Sequence, residues 1–133
     1  MKREIEFRGQ RCSDGKWVYG YYIESKYSWK GHKPHRSWIV TNAISNGGFF
    51  NVLGRYAVKD DTVCQFTGMT DKNGVKIFEG DIVHWKSPYG HSFTKAVGHD
   101  DAYGRFTPMD IFMGYDCDVL GNIYDNPELL ATK

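Results

Sequence analysis

The densest run of chemistry-bearing side chains lies between residues 26 and 38. It contains Lys26, Tyr27, Trp29, Lys30, His32, Lys33, His35, Arg36 and Trp38, broken by Gly31 and Pro34. Its four fixed cations could neutralise phosphates while the interleaved rings stack on bases, which is the chemistry of single-strand nucleic-acid binding. The same run also reads as a solvated loop whose rings pack back on the fold or on a partner subunit. That plainer reading leads, because the chain as a whole carries a net charge of only +1 and offers no global field to an anionic polymer.

The histidines are His32, His35, His84, His91 and His99. A metal needs three or four convergent ligands with supporting partners, and the spacing meets none of the strong zinc patterns. A small metal-dependent hydrolase built on His84, His91, His99 and nearby aspartates is therefore a minor alternative, and no metal or cofactor is expected. Cys12, Cys64 and Cys117 are odd in number and widely spaced, which argues against a disulfide framework and fits a reducing cytosol. Cys64 and Cys117 read as small core residues. Asp60-Asp61 and Asp100-Asp101 are adjacent pairs, which on a strand would point to opposite faces. Glu79 and Asp81 flank Gly80 and are expected to bond backbone at a corner. No phosphate-binding glycine loop, dinucleotide fingerprint or hydrolase elbow is present, so no catalytic residue is assigned.

The elements that must position these groups are strands. The chain has 133 residues, of which 16% are aromatic and 15 are glycine, a composition that favours short pleated segments joined by tight turns. Residues 3–7 alternate charged and apolar, and Trp17, Tyr19, Tyr21 and Ile23 repeat the alternation after Asp14-Gly15. Residues 2–24 are thus predicted to be a β-hairpin on a primed turn. Further strands are expected at 38–41, 49–58, 62–67, 82–85 and 117–123, with 93–97 paired to 103–106 and a second hairpin turn at Asn73-Gly74. Asn126 as cap, Pro127 at the first helical position and Glu128 beside the dipole predict one short helix. The predicted core is Ile5, Phe7, Trp17, Tyr19, Val63, Phe66, Ile77, Ile82, Val83, Trp85, Val119, Ile123 and Leu129. The N-terminus has no apolar run of signal-peptide kind, and no stretch approaches spanning length, so no membrane association is expected.

Three segments together resemble a known family. They are residues 3–9, the block from Gln65 to Val83, and Val119-Leu120-Gly121-Asn122-Ile123-Tyr124-Asp125-Asn126-Pro127-Glu128-Leu129-Leu130. This set is similar to the YopX family of phage and prophage proteins. The resemblance implies a phage-derived gene expressed in the cytoplasm of a bacterial host. It also implies a mainly β fold with an SH3-like barrel, and self-association; it supplies no reaction and no catalytic residues. The expected organisation is a single YopX-like domain. An N-terminal β lobe spans 1–60, and a lobe of SH3-like barrel and C-terminal helix spans 61–133, with the barrel over 62–125. The leading functional reading is a non-enzymatic oligomeric scaffold or adaptor that binds an unknown protein partner. Its support is the aromatic surplus of 4 Trp, 9 Tyr and 8 Phe, more than one small barrel buries. The alternative is a nucleic-acid-binding module using residues 26–38.

Overall fold

The structure is a computed structural model and describes residues 4–25, 37–41, 54–108 and 116–131. The chain forms two compact units, Met1–Gln65 and Phe66–Lys133.

The first unit is an antiparallel sheet. Its strands are β1 (Phe7–Gln10), β2 (Trp17–Glu24), β3 (Ser37–Thr41) and β4 (Gly54–Ala57), followed by a single helical turn at Asp60–Thr62 and the start of β5 (Cys64–Thr70). The order across the sheet is β4-β3-β2-β1-β5. The hairpin expected over 2–24 is present, with Phe7 opposite Gly20 and Gln10 opposite Trp17. Two details differ. The first strand begins at Phe7, residues 4–6 being outside it, and residues 2–3 lie outside the described residues. The turn is a wider loop, in which Arg11 N–H donates to the Lys16 carbonyl and Gly15 N–H to the Arg11 carbonyl. The Asp14 carboxylate accepts the Lys16 N–H at 3.0 Å and lies 3.4 Å from the Arg11 guanidinium. These bonds stabilise the wider loop, so positive φ is needed only at Gly15, at +74°. The predicted strand over 49–58 is β4 from residue 54 on; residues 49–53 lie outside the described residues.

One face of this sheet is filled. Paired residues share a face, which places Phe7, Tyr22, Ile39 and Tyr56 together. The Phe7 and Tyr22 rings meet at 5.7 Å, and Ile39 and Val58 are fully buried. Gly9 admits Val58, whose Cβ would lie 2.9 Å from an added Cβ. At Gly20 an added Cβ would land on the Val40 carbonyl oxygen.

The second unit takes the rest of β5 with β6 (Lys76–Phe78), β7 (Asp81–Lys86), β8 (Ser92–Ala96), β9 (Gly98–Asp100), β10 (Arg105–Thr107), β11 (Asp116–Asn122) and α1 (Glu128–Ala131). A three-stranded sheet runs β11-β7-β8, and β9 pairs with β10. The unit is mainly β, as expected, but among the described residues the strands do not close into a barrel. The strands that would contribute to closure pair locally instead: β8 bonds to β7, and β10 bonds to β9 rather than to residues 93–97. Ile77, Val83, Trp85, Val97 and Cys117 form the core, with Met69, Phe106 and Val119 packed against it. Phe66, Ile77, Ile82, Val83 and Trp85 are buried as predicted, whereas Ile5 and Tyr19 are about half exposed. The remaining predicted core residues are partly buried.

Two buried carboxylates organise this unit. Asp81 accepts the Phe78 N–H at 2.8 Å at the corner where Gly80 takes φ +85°. Asp71 accepts the N–H groups of Asn73 at 2.8 Å, Val75 at 2.9 Å and Val119 at 3.1 Å. It thereby ties the β5–β6 turn to β11. Burial alone would raise the Asp71 carboxyl, but the donors from Val119, Val75 and Asn73 and the charge of Lys72 outweigh it and hold it below the usual carboxylate range. Asn126 turns its carboxamide oxygen back to the Asn122 N–H at 3.4 Å, a use other than the expected helix cap.

Asp71→Asn should destabilise the protein by about 1–3 kcal/mol at neutral pH, because an amide N–H₂ would face a backbone donor in a buried site. A carboxyl held low in the folded state stabilises fully above the unfolded value of about 4 and loses that contribution as pH falls through the folded value. Urea unfolding from pH 7 downward should therefore show the wild type and the variant converging in acid, and parallel curves would contradict the role given to Asp71. Gly20→Ala should cost about 3 kcal/mol through overpacking, read by the same method.

Candidate functional site

The opposite face of the first sheet is open. Arg8 pairs with Tyr19, Tyr21 with Val40, Ile23 with Trp38, and Val40 with Arg55, so these side chains share one surface. Tyr19, Tyr21 and Ile23 are exposed by 46%, 54% and 51%. They occupy alternate positions along β2, about 7 Å apart. Two arginines sit on indole rings of this surface. The Arg55 guanidinium lies 5.7 Å from the Trp38 ring centre, and that of Arg8 lies 4.6 Å from the ring of Trp17. Arg8 is buried there, while Arg55 is exposed. The arrangement is a row of half-exposed side chains along β2, with an arginine over the face of each of two neighbouring indoles.

Charge is segregated between the two units. Residues 1–65 hold 11 Lys and Arg against 6 Asp and Glu, a net +5; residues 66–133 hold 6 against 10, a net −4. Between Glu24 and Asp60 there are six Lys and Arg and no acidic residue. The chain total of +1 is thus a cancellation between two opposite halves.

Of the run predicted to bind, Lys26, Tyr27, Trp29, Lys30, His32, Lys33, His35 and Arg36 lie outside the described residues. Trp38 is on β3 and belongs to the open face. The other chemistry-bearing groups are occupied separately. His84 Nδ1 meets Thr94 Oγ1 at 2.9 Å, and His99 Nδ1 meets Asp101 Oδ1 at 2.6 Å with the ring edge-on to Phe106. His91 is exposed in the turn before β8. Asp100 accepts the Ala102 N–H, and Asp118 accepts Asn73 Nδ2 and pairs with Lys72 at 3.3 Å. Among the described residues no three His, Cys, Asp or Glu side chains cluster as metal ligands. All three cysteines are free; Cys64 and Cys117 are buried. Burial, followed by the charges of Asp71 and Asp118, pushes the Cys117 thiol up, away from nucleophile chemistry.

Sequence reasoning assigned Tyr19 to the core and passed over Tyr21 and Arg55. The alternation on β2 was legible, but both parities carry rings: Trp17, Tyr19 and Tyr21 on one side, Tyr22 on the other. Aromatic content could not say which side faced inward.

The matches to known proteins agree with this architecture. The family profile described as YopX protein matches residues 6–131. The chain belongs to the YopX family. The crystal structure of protein EF1440 from Enterococcus faecalis is similar to it with a TM-score of 0.51 and 23% identity, over 97% of this chain and 99% of that one; this shows a shared fold. No curated protein matches the chain. The YopX-like segments at 65–83 and 119–130 are the ones that hold the Asp71 turn, the Gly80 corner and the Asn122–Asn126 link. Residues 66–83 and 119–130 belong to the second unit, while the third such segment, residues 3–9, includes Arg8 of the open face. No helix among the described residues is long and apolar enough to cross a membrane.

Because Tyr19 and Tyr21 are about half exposed, Tyr19→Ala and Tyr21→Ala should each change stability by about 0.5 kcal/mol or less. Tyr22→Ala, which strips a ring from Phe7, should cost at least about 2 kcal/mol. Thermal unfolding of the three variants checks this; equal losses would mean that the face is packed.

Proposed function

We propose that this YopX-family chain is a non-enzymatic accessory protein of phage or prophage origin, working in a bacterial cytoplasm as an adaptor. Its work is binding, done by the open face of the first unit. The observation that carries this reading is the row Tyr19, Tyr21 and Ile23 beside the Trp38–Arg55 pair, on a sheet whose other face is filled. Tyr, Trp and Arg are the residues that anchor interfaces, because large rigid rings give much contact area for little lost freedom. The sheet pre-orders them, so little entropy is lost on docking.

A second reading, self-association through the same face, is favoured by the aliphatic pair Ile23 and Val40. Tyrosine nitration mapped by mass spectrometry tests the proposal without a known partner. In purified protein Tyr19, Tyr21 and Tyr89 should all react, Tyr89 being 85% exposed on the second unit. Soluble extract of the bacterial host should protect Tyr19 and Tyr21 and leave Tyr89 reactive. Protection that instead grows with the protein's own concentration assigns the face to a second copy. Equal reactivity under every condition would overturn the proposal.

A further inference from the structure

We propose that the outer edge of β8 is a pairing site for a second copy of this chain, in which two β8 strands join antiparallel about Thr94. The site lies on the second unit and is separate from the open face, so it stands independently of the preceding proposal.

An edge strand offers a row of N–H and C=O groups to any extended chain. The sheet β11-β7-β8 has two edges, and the β11 edge is covered. Lys72 N–H donates to the Cys117 carbonyl at 3.1 Å, and the Asp71 carboxylate accepts the Val119 N–H at 3.1 Å. The β8 edge has no such cover among the described residues. Backbone groups alternate in direction along an antiparallel strand. Val97 N–H donates to the Asp81 carbonyl, and the His91 carbonyl accepts from Ser87. By that alternation the backbone groups of Phe93 and Lys95 also face β7. Those of Ser92, Thr94 and Ala96 point away from the sheet. Ser92, Phe93 and Lys95 are exposed, Phe93 by 41%, and Thr94 and Ala96 are half-buried.

The occupant is a second copy because this edge is complementary to itself. With Thr94 on a two-fold axis, Ser92 faces Ala96 and Thr94 faces Thr94, and each pair exchanges two backbone bonds. Between them Phe93 faces Lys95 in the narrow, non-hydrogen-bonded pairs, where side chains come closest. There the ammonium meets a ring rather than its own like charge. Neighbouring registers fit less well. An axis at Lys95 sets lysine against lysine, which repels. An axis at Phe93 sets Lys95 against His91 and Ala96 against Gly90 of the turn, so the end of the strand is left unpaired. Pairing about Thr94 joins the two sheets into one continuous sheet and gives each assembly two copies of the open face. A strand of 5 residues makes a small interface, so the dimer is weak and forms with concentration.

The test is sedimentation velocity of the full chain over a concentration series. The wild type should pass from monomer to dimer as concentration rises. Thr94→Pro removes an N–H that β7 does not use, so β8 keeps its ladder, and self-pairing should weaken at least about tenfold. Phe93→Lys sets like charges opposite each other and should also weaken it. Adding Lys95→Glu to that variant should restore the dimer, because the facing side chains then carry unlike charge. The double variant Tyr19→Ala/Tyr21→Ala should leave the dimer unchanged. Amide hydrogen exchange reads the edge directly: the N–H groups of Ser92, Thr94 and Ala96 should gain protection with concentration, while that of Val97, already bonded to Asp81, stays as it was. Circular dichroism melts confirm that each variant is folded. A monomer at every concentration, or a dimer that Thr94→Pro leaves intact, overturns the inference. A dimer lost in the tyrosine double variant and kept in Thr94→Pro assigns self-association to the open face instead, and sinks this inference while that face stands.

Discussion

The register of β2 is the constraint on which the open face depends. A shift of one residue would carry Tyr19, Tyr21 and Ile23 into the core and turn Tyr22 to solvent. Two features hold the register. At one end the loop between β1 and β2 is closed by the Asp14 carboxylate on the Lys16 N–H. In the middle, Gly20 lies so close to the β3 backbone that no side chain fits there. The neighbouring strands then complete both faces. Phe7, Ile39 and Tyr56 fill one, while Val40, Trp38 and Arg55 extend the other.

The second unit is organised by polar rather than aromatic contacts. Asp71 satisfies three backbone donors and Asp81 a fourth, which fixes where β5, β6, β7 and β11 meet. A buried carboxylate that accepts several N–H groups is stable as the anion and costly to lose. Two of the three YopX-like segments, 65–83 and 119–130, fall on these junctions, and the family match itself runs over residues 6–131, through both units. The binding reading comes from the first unit, where the remaining segment, residues 3–9, supplies Arg8 to the open face.

Charge connects the two levels. As a single number, +1 describes a nearly neutral chain. Divided at the boundary between the units it becomes +5 and −4, with the open face in the unit of positive count.

The hairpin over 2–24, the Asn73-Gly74 turn, the Gly80 corner and the last strand were legible in the sequence, because alternation and turn chemistry are local. So was the burial of Phe66, Ile77, Ile82, Val83 and Trp85, which sit in or beside a block of continuous apolar pattern. What the strands pair with was not legible. Residues 93–97 could bond to β7 or to 103–106 with equal local propensity, and only competition among partners in space made β8 the neighbour of β7 and left the strands without a closed barrel. The sidedness of β2 was decided the same way. Its amino acids determined an alternating strand with rings on both sides. The packing of Phe7, Ile39 and Val58 against one of those sides determined which rings were left in solvent, since only one face of a sheet can be filled by a given core.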